Sequence, residues 1–163
     1  MDKNSYTDED KKFMQHAIAL AEKGMDANAG GPFGAVVVKD GEIIAEGHNN
    51  VTSTNDPTAH AEVVAIRRAC EKLDSFQLTD CILYTSCEPC PMCLGAIYWA
   101  RPKKVFYACN REDAAEINFD DQFIYDEIDK EIDNREIDFV RILRNEAVKV
   151  FDKWADKNDK TVY

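Results

Sequence analysis

An α/β fold with helices on both faces of a mixed sheet, a three-layer α-β-α arrangement, is what the sequence predicts, on three observations. Residues 81–86 (CILYTS), 91–100 and 104–109 (KVFYAC) read as strand, helix and strand, an order that asks for a right-handed parallel crossover. Asp40-Gly41 stands between the apolar runs 33–38 and 43–46, which signals a β-hairpin. Apolar residues at helical spacing precede the hairpin and follow it. With 137–143 as a further strand, the sheet has about five. A chain of 163 residues supplies one sizeable core, so 1–163 reads as a single domain with no internal repeat and no linker.

The elements follow in order. Thr7 with Asp10 three residues on is a capping-box pattern, and Phe13, Ala17, Leu20 and Ala21 carry a helix over about 8–25. The glycine turn at 30–31 leads into the hairpin. Asp56-Pro57 reads as an N-cap with proline in the first turn, opening a helix to about Leu73 whose first turn holds His60 and Glu62. Pro91 opens the next helix and Arg101-Pro102 stops it at Ala100. Beyond Cys109 the pattern weakens to a short helix near 121–128 and the strand at 137–143. A clearer last helix carries Val148, Phe151, Trp154 and Ala155, and a polar tail ends at Tyr163.

Charge excludes several functions. The net charge is −11, which works against a phosphate-backbone partner, whose binding relies on Lys and Arg. Residues 112–138 hold twelve acids against two bases, so the rest of the chain is near neutral and a local basic patch stays open. No uncharged stretch exceeds 12 residues, short of the roughly 20 needed to cross a bilayer. The first 13 residues are charged where a secretory signal is apolar, and a cytoplasmic location is expected.

Six cysteines in a chain without an export signal point to metal more than to disulfides. Cys90 and Cys93 stand i, i+3 at a helix start, where backbone N–H groups and the helix dipole favour thiolates, the form that binds zinc. His60, also near a helix start, can be the third ligand. Three protein ligands leave a fourth position to water, the arrangement of a catalytic zinc, and Glu62 is then placed to carry protons. In an ideal helix i and i+2 point nearly opposite ways, so pairing His60 with Glu62 depends on local geometry. Cys87 could instead complete a closed structural zinc site, although it ends a strand before Pro89 and need not face the pair. Cys70, Cys81 and Cys109 read as packing residues.

His60-Ala-Glu62 followed by Pro89-Cys90-Pro-Met-Cys93 resembles the H-x-E…P-C-x-x-C signature of the cytidine deaminase-like zinc deaminases. The resemblance implies that His60, Cys90 and Cys93 hold zinc, one per chain, and that Glu62 shuttles protons. The longer strings GGPFGA (30–35), NDPTAHAE (55–62), YTSCEPCPMC (84–93) and AIYWARP (96–102) look closest to the bacterial guanine deaminases, as do FDDQFIY (119–125) and Tyr163. That likeness implies hydrolysis of guanine to xanthine and ammonia. Guanine offers acceptors at O6 and N7 and donors at N1 and its amino group, so its site needs a donor and an acceptor. Asn49 can donate to O6 or N7 and Asp121 can accept from the amino group, both assignments leaning on the resemblance; Phe33 can stack on the purine.

In the family the enzymes form dimers, and a C-terminal segment, here about 145–163 with Tyr163, closes over an active site, sometimes the partner's. A homodimer, with C-terminal segments exchanged in one version, is therefore expected; Trp99 and Trp154 are core or interface aromatics. Alternatives stay open: a tRNA adenosine deaminase or another nucleobase or nucleoside deaminase, and a structural zinc-binding module.

Overall fold

The computed structural model describes residues 5–163 and divides the chain into two compact units, Met1–Asp121 and Gln122–Tyr163. In the first unit α1 (Asp8–Asp26) opens with the expected capping box: Thr7 Oγ1 accepts from the Asp10 N–H at 3.1 Å, and the Thr7 N–H donates back to Asp10 Oδ2 at 2.7 Å. Strands β1 (Gly34–Lys39) and β2 (Glu42–His48) pair antiparallel across Asp40-Gly41, both with positive φ, as a tight hairpin turn requires. Their register slips by one residue between Val37 and Val38, a bulge. The short helix α2 (Val51–Thr54) and the longer α3 (Ala61–Leu73) follow, then β3 (Cys81–Cys87), α4 (Pro91–Ala100), β4 (Lys104–Cys109) and α5 (Arg111–Glu116).

The sheet order is β2-β1-β3-β4, with β1 and β3 antiparallel and β3 and β4 parallel. Alternation along the strands splits the core in two. Ala35, Val37, Leu83 and Cys81 pack on Ala61, Ala65, Ile66 and Ala69 of α3 and on Ile97 and Ala100 of α4. Val36, Val38 and Tyr84 pack on Ala17 and Leu20 of α1. Helices thus cover both faces, as the sequence predicts. Burying each of the larger aliphatic side chains contributes about 1.5–3 kcal/mol, and the sheet is held from both sides.

The sheet has four strands among the described residues. Residues 137–143 carry an apolar pattern but pair with nothing in a ladder, and a strand exists only through its partner. The helix expected from residue 56 starts instead at Ala61, because the Asp56 carboxylate accepts from the Thr58 N–H and hydroxyl at 2.8 and 2.7 Å and so closes a side-chain turn in place of a helical one. Cys81 is buried and Cys70 half-buried, as packing residues should be, whereas Cys109 is exposed, because β4 ends the sheet order.

The second unit contains α6 (Gln122–Asp129), a 3₁₀ turn at Ile132–Asn134 and α7 (Arg144–Ala155). Trp154 lies on α7 and is exposed, as is Trp99 on α4, so neither is a core aromatic of this chain. No described helix is long and apolar enough to cross a membrane.

Candidate active site

Two helices begin at the same place. His60 and Cys90 occupy the N-cap positions of α3 and α4 with extended backbone, and neither side chain makes a cap hydrogen bond. The imidazole and the thiol are therefore available for other work. A Cβ on Gly47 of β2 would lie 2.3 Å from Ala61 O, so the glycine allows the first turn of α3 to sit directly on the sheet. Cys93, three residues into α4, shares a side of the helix with Cys90. His60 Nδ1 lies 3.5 Å from each of the two sulfurs, and the three ligand atoms fall within 4.8 Å of one another.

The donor set fits zinc. A hydrogen bond from Cys93, with the His60 ring beside it, holds the Cys90 thiol down at about 4 although burial opposes this. Cys93 is pushed the other way by its bond to Cys90, by burial and by Glu62. The three side chains thus offer two sulfurs and one imidazole nitrogen, and a divalent cation held there would gain two thiolates as ligands. Cys87 is not in the cluster: its thiol donates to Asn110 O at 3.5 Å, and burial pushes it up to about 12.

Glu62 reaches the cluster because His60 precedes the helix. With His60 at the cap and Glu62 as the second helical residue, the opposed directions of an ideal i, i+2 pair do not apply. Glu62 Oε2 lies 3.4 Å from Cys93 Sγ, and Oε1 accepts from Thr85 Oγ1 at 3.1 Å. Only 6% of the residue is exposed, and burial pushes the carboxyl above the ordinary carboxylate range, while its own backbone N–H, Cys93 and Thr85 pull it back. A carboxyl so placed passes a proton more readily than one in water. Sequence reasoning missed Thr85. In a strand of β-formers a threonine is unremarkable, and only the three-dimensional register reveals its neighbour.

The remaining candidates are distributed as follows. Asn49 is buried; its N–H donates to Phe33 O at 3.0 Å and its Oδ1 accepts from the Val51 N–H at 3.1 Å, which leaves the amide NH₂ as the group to offer a ligand. Asn50 donates to Ala59 O, so this segment is bonded beside His60. Phe33 is half-buried and meets Phe119 edge-on, ring centroids 5.0 Å apart. Asp121 is half-buried, and burial together with the nearby Cys90 raises its carboxyl pKa. Tyr163 ends the second unit and is exposed.

A helix-flanked mixed sheet that aims two helix starts and a buried carboxylate at one metal position defines the class of zinc-dependent deaminases. Residues 7–109 match the cytidine and deoxycytidylate deaminase zinc-binding region, and the chain belongs to that family. It is similar to the guanine deaminase of Bacillus subtilis (strain 168), with 62% identity over 151 residues, 93% of this chain and 97% of that one. The crystal structure of a guanine deaminase from Bacillus subtilis superposes with a TM-score of 0.91 at 61% identity, covering 94% of this chain and 98% of that one. The tRNA-specific adenosine deaminase of Aquifex aeolicus (strain VF5) is 48% identical over 96 residues, 59% of this chain and 63% of that one.

Proposed function

We propose that this protein hydrolyses guanine to xanthine and ammonia. The observation that carries the reading is the extent of the likeness: similarity to a guanine deaminase runs through both units, whereas similarity to a tRNA-specific adenosine deaminase covers 59% of the chain. The net charge of −11 also disfavours a nucleic-acid substrate.

Zinc, one ion per chain held by His60, Cys90 and Cys93, supplies the Lewis acidity that makes water a nucleophile at neutral pH. Glu62 takes a proton at Oε2 and delivers it to the departing amine. Asn49 donates its amide N–H to O6 or N7 of the base, Asp121 accepts from the 2-amino group, and Phe33 stacks on the ring. Residues 145–163, ending in Tyr163, cap a site and exclude water, so that 1–163 works as one catalytic domain. The protein acts in the cytoplasm as a homodimer, with or without exchange of the C-terminal segments between its two copies. The test is ammonia release from a panel of guanine, guanosine, adenine, amino-triazines and a tRNA anticodon stem. Guanine is expected to be turned over best. Preference for the anticodon stem or for a nucleoside overturns the assignment.

A further inference from the structure

We propose that Thr85 is a positioning residue for the reaction: its hydroxyl fixes the plane of the Glu62 carboxylate so that Oε2, and not Oε1, faces the ligand cluster. The inference rests on the reading of Glu62 as the proton carrier.

Thr85 sits in the middle of the sheet, opposite Ala35 of β1 and Tyr107 of β4, and is 1% exposed. Strand alternation puts it on the same side as Leu83 and Cys81, which pack against α3 and α4. Its hydroxyl therefore emerges beneath the first turn of α3, where it donates to Glu62 Oε1 at 3.1 Å. The other oxygen, Oε2, lies 3.4 Å from Cys93 Sγ. The two contacts engage opposite oxygens of one carboxylate, which removes the freedom of its terminal torsion, otherwise broad and two-fold.

The chemistry distinguishes those oxygens. A hydroxyl buried to this degree needs an acceptor, and Oε1 provides one whether the carboxyl is ionised or protonated on Oε2. A proton on Oε1 would make that oxygen a donor and turn the Thr85 hydroxyl away from the acceptor it uses. The arrangement therefore keeps Oε1 as an acceptor and leaves Oε2 to exchange the proton. Were Cys93 to hold a metal as a thiolate it would no longer donate to Oε2, and of these two contacts Thr85 alone would hold the carboxylate as a donor.

Two variants separate positioning from packing. Thr85→Val keeps the shape and removes the hydroxyl; Thr85→Ser keeps the hydroxyl and removes a methyl group from the core. For a positioning residue, Thr85→Val lowers kcat for guanine about tenfold to a hundredfold with KM little changed, the range found for hydrogen-bonding partners that orient side chains around a metal site. Thr85→Ser then retains most of the wild-type kcat although it unfolds at a lower temperature. Zinc content, measured on the same samples, stays at the wild-type level in both. The reverse ranking, with Thr85→Val active and Thr85→Ser impaired, makes Thr85 a packing residue and overturns the inference, as does a wild-type kcat in Thr85→Val. Wild-type protein and Glu62→Gln in the same assay keep the two levels apart. An inactive wild type or an active Glu62→Gln overturns the proton-carrier reading and this inference with it, while an active wild type with an unaffected Thr85→Val overturns the inference alone.

Discussion

Gly30 makes room for Asn49: a Cβ on Gly30 would stand 2.1 Å from Asn49 Oδ1 and 2.8 Å from Asn49 O. No real Cβ contact is so short, so any side chain at 30 displaces either the turn or the amide. The amide is held in turn by the Val51 N–H on Oδ1, and the backbone beneath it by the Asn49 N–H on Phe33 O, which together set the direction of its NH₂. The glycine turn, the hairpin end and the segment before α3 thus form one unit around Asn49.

Gly30→Ala is expected to lower kcat/KM for guanine about a hundredfold, since a displacement of about 1 Å in a positioning group costs that much. Zinc content should not change, because the Gly30 turn makes its close approach to Asn49 and not to His60, Cys90 or Cys93. Asn49→Ala should give a loss of similar size. Wild-type kinetics in Gly30→Ala would show that the amide is not a substrate contact.

Metal content distinguishes the cysteines. One zinc per chain is expected in the purified protein, and Cys90→Ala should lose it, whereas Cys87→Ala should retain it with Cys87 directed at Asn110 O. Elemental analysis of the three proteins checks this. Metal lost from Cys87→Ala would point to a closed structural site.

Glu62→Gln preserves the shape of the side chain and its capacity to accept from Thr85 while removing the ability to carry a proton. Turnover is expected to fall by on the order of 10² to 10⁴, with zinc and the unfolding temperature near wild type. Near-normal turnover would exclude Glu62 as the shuttle.

How much of this was legible in the sequence depended on whether the deciding interaction was local. The bounds of α4 are readable because proline is admitted at its first position and Arg101-Pro102 ends it, and the metal ligands are readable because few side chains combine that chemistry with that spacing. The start of α3 differs from the one that Asp56-Pro57 predicts. Asp56 is as good a cap as any, but its carboxylate closes a turn with Thr58 and leaves the cap position to His60, which is what lets the imidazole leave the helix. The helix α5 has no periodic signature in the sequence, although Asn110 and Asp113 form a capping box there. Its six residues carry too few apolar side chains to show a period. Thr85 and residues 137–143 were beyond reach for one reason: a hydroxyl partner across 23 positions and the pairing of a strand are settled by tertiary contact, which no local pattern encodes.

Tyr84 ties the sheet to α1 and should make stability depend on pH. Its hydroxyl, on a residue 2% exposed, donates to Asp10 Oδ1 at 2.6 Å, while its ring stacks on Phe106. Burial pushes Asp10 up, but the Tyr84 hydroxyl, the Thr7 backbone and side chain and Lys104 together hold it below its ordinary 3.8. A carboxyl lowered in the folded state stabilises the fold above its unfolded pKa and loses that contribution as pH falls through the folded one. Tyr84→Phe keeps the stacking and removes the bond. A loss of about 1.5 kcal/mol is expected at neutral pH, shrinking between about pH 5 and pH 2, as read by denaturant unfolding. A difference independent of pH over that range would mean that the Asp10 charge contributes nothing.

Residues 159–163 follow α7 and end in an exposed tyrosine, a composition suited to closing over a flat base. Water must be shut out of a hydrolytic site once the nucleophile is made, or each reactive step competes with solvent, and an aromatic ring covers a purine at little entropic cost. Frayed termini are common, so the variant must separate the two roles. None of these five residues is buried, and deleting them is expected to leave the unfolding free energy within about 0.5 kcal/mol of wild type and zinc content unchanged. The loss of one aromatic contact, about 1.5 kcal/mol, should lower guanine turnover about tenfold. For a ring that covers the base, Tyr163→Phe should retain most of the activity and Tyr163→Ala should behave like the deletion. Full activity in the deleted protein would leave the tail without a part in the reaction.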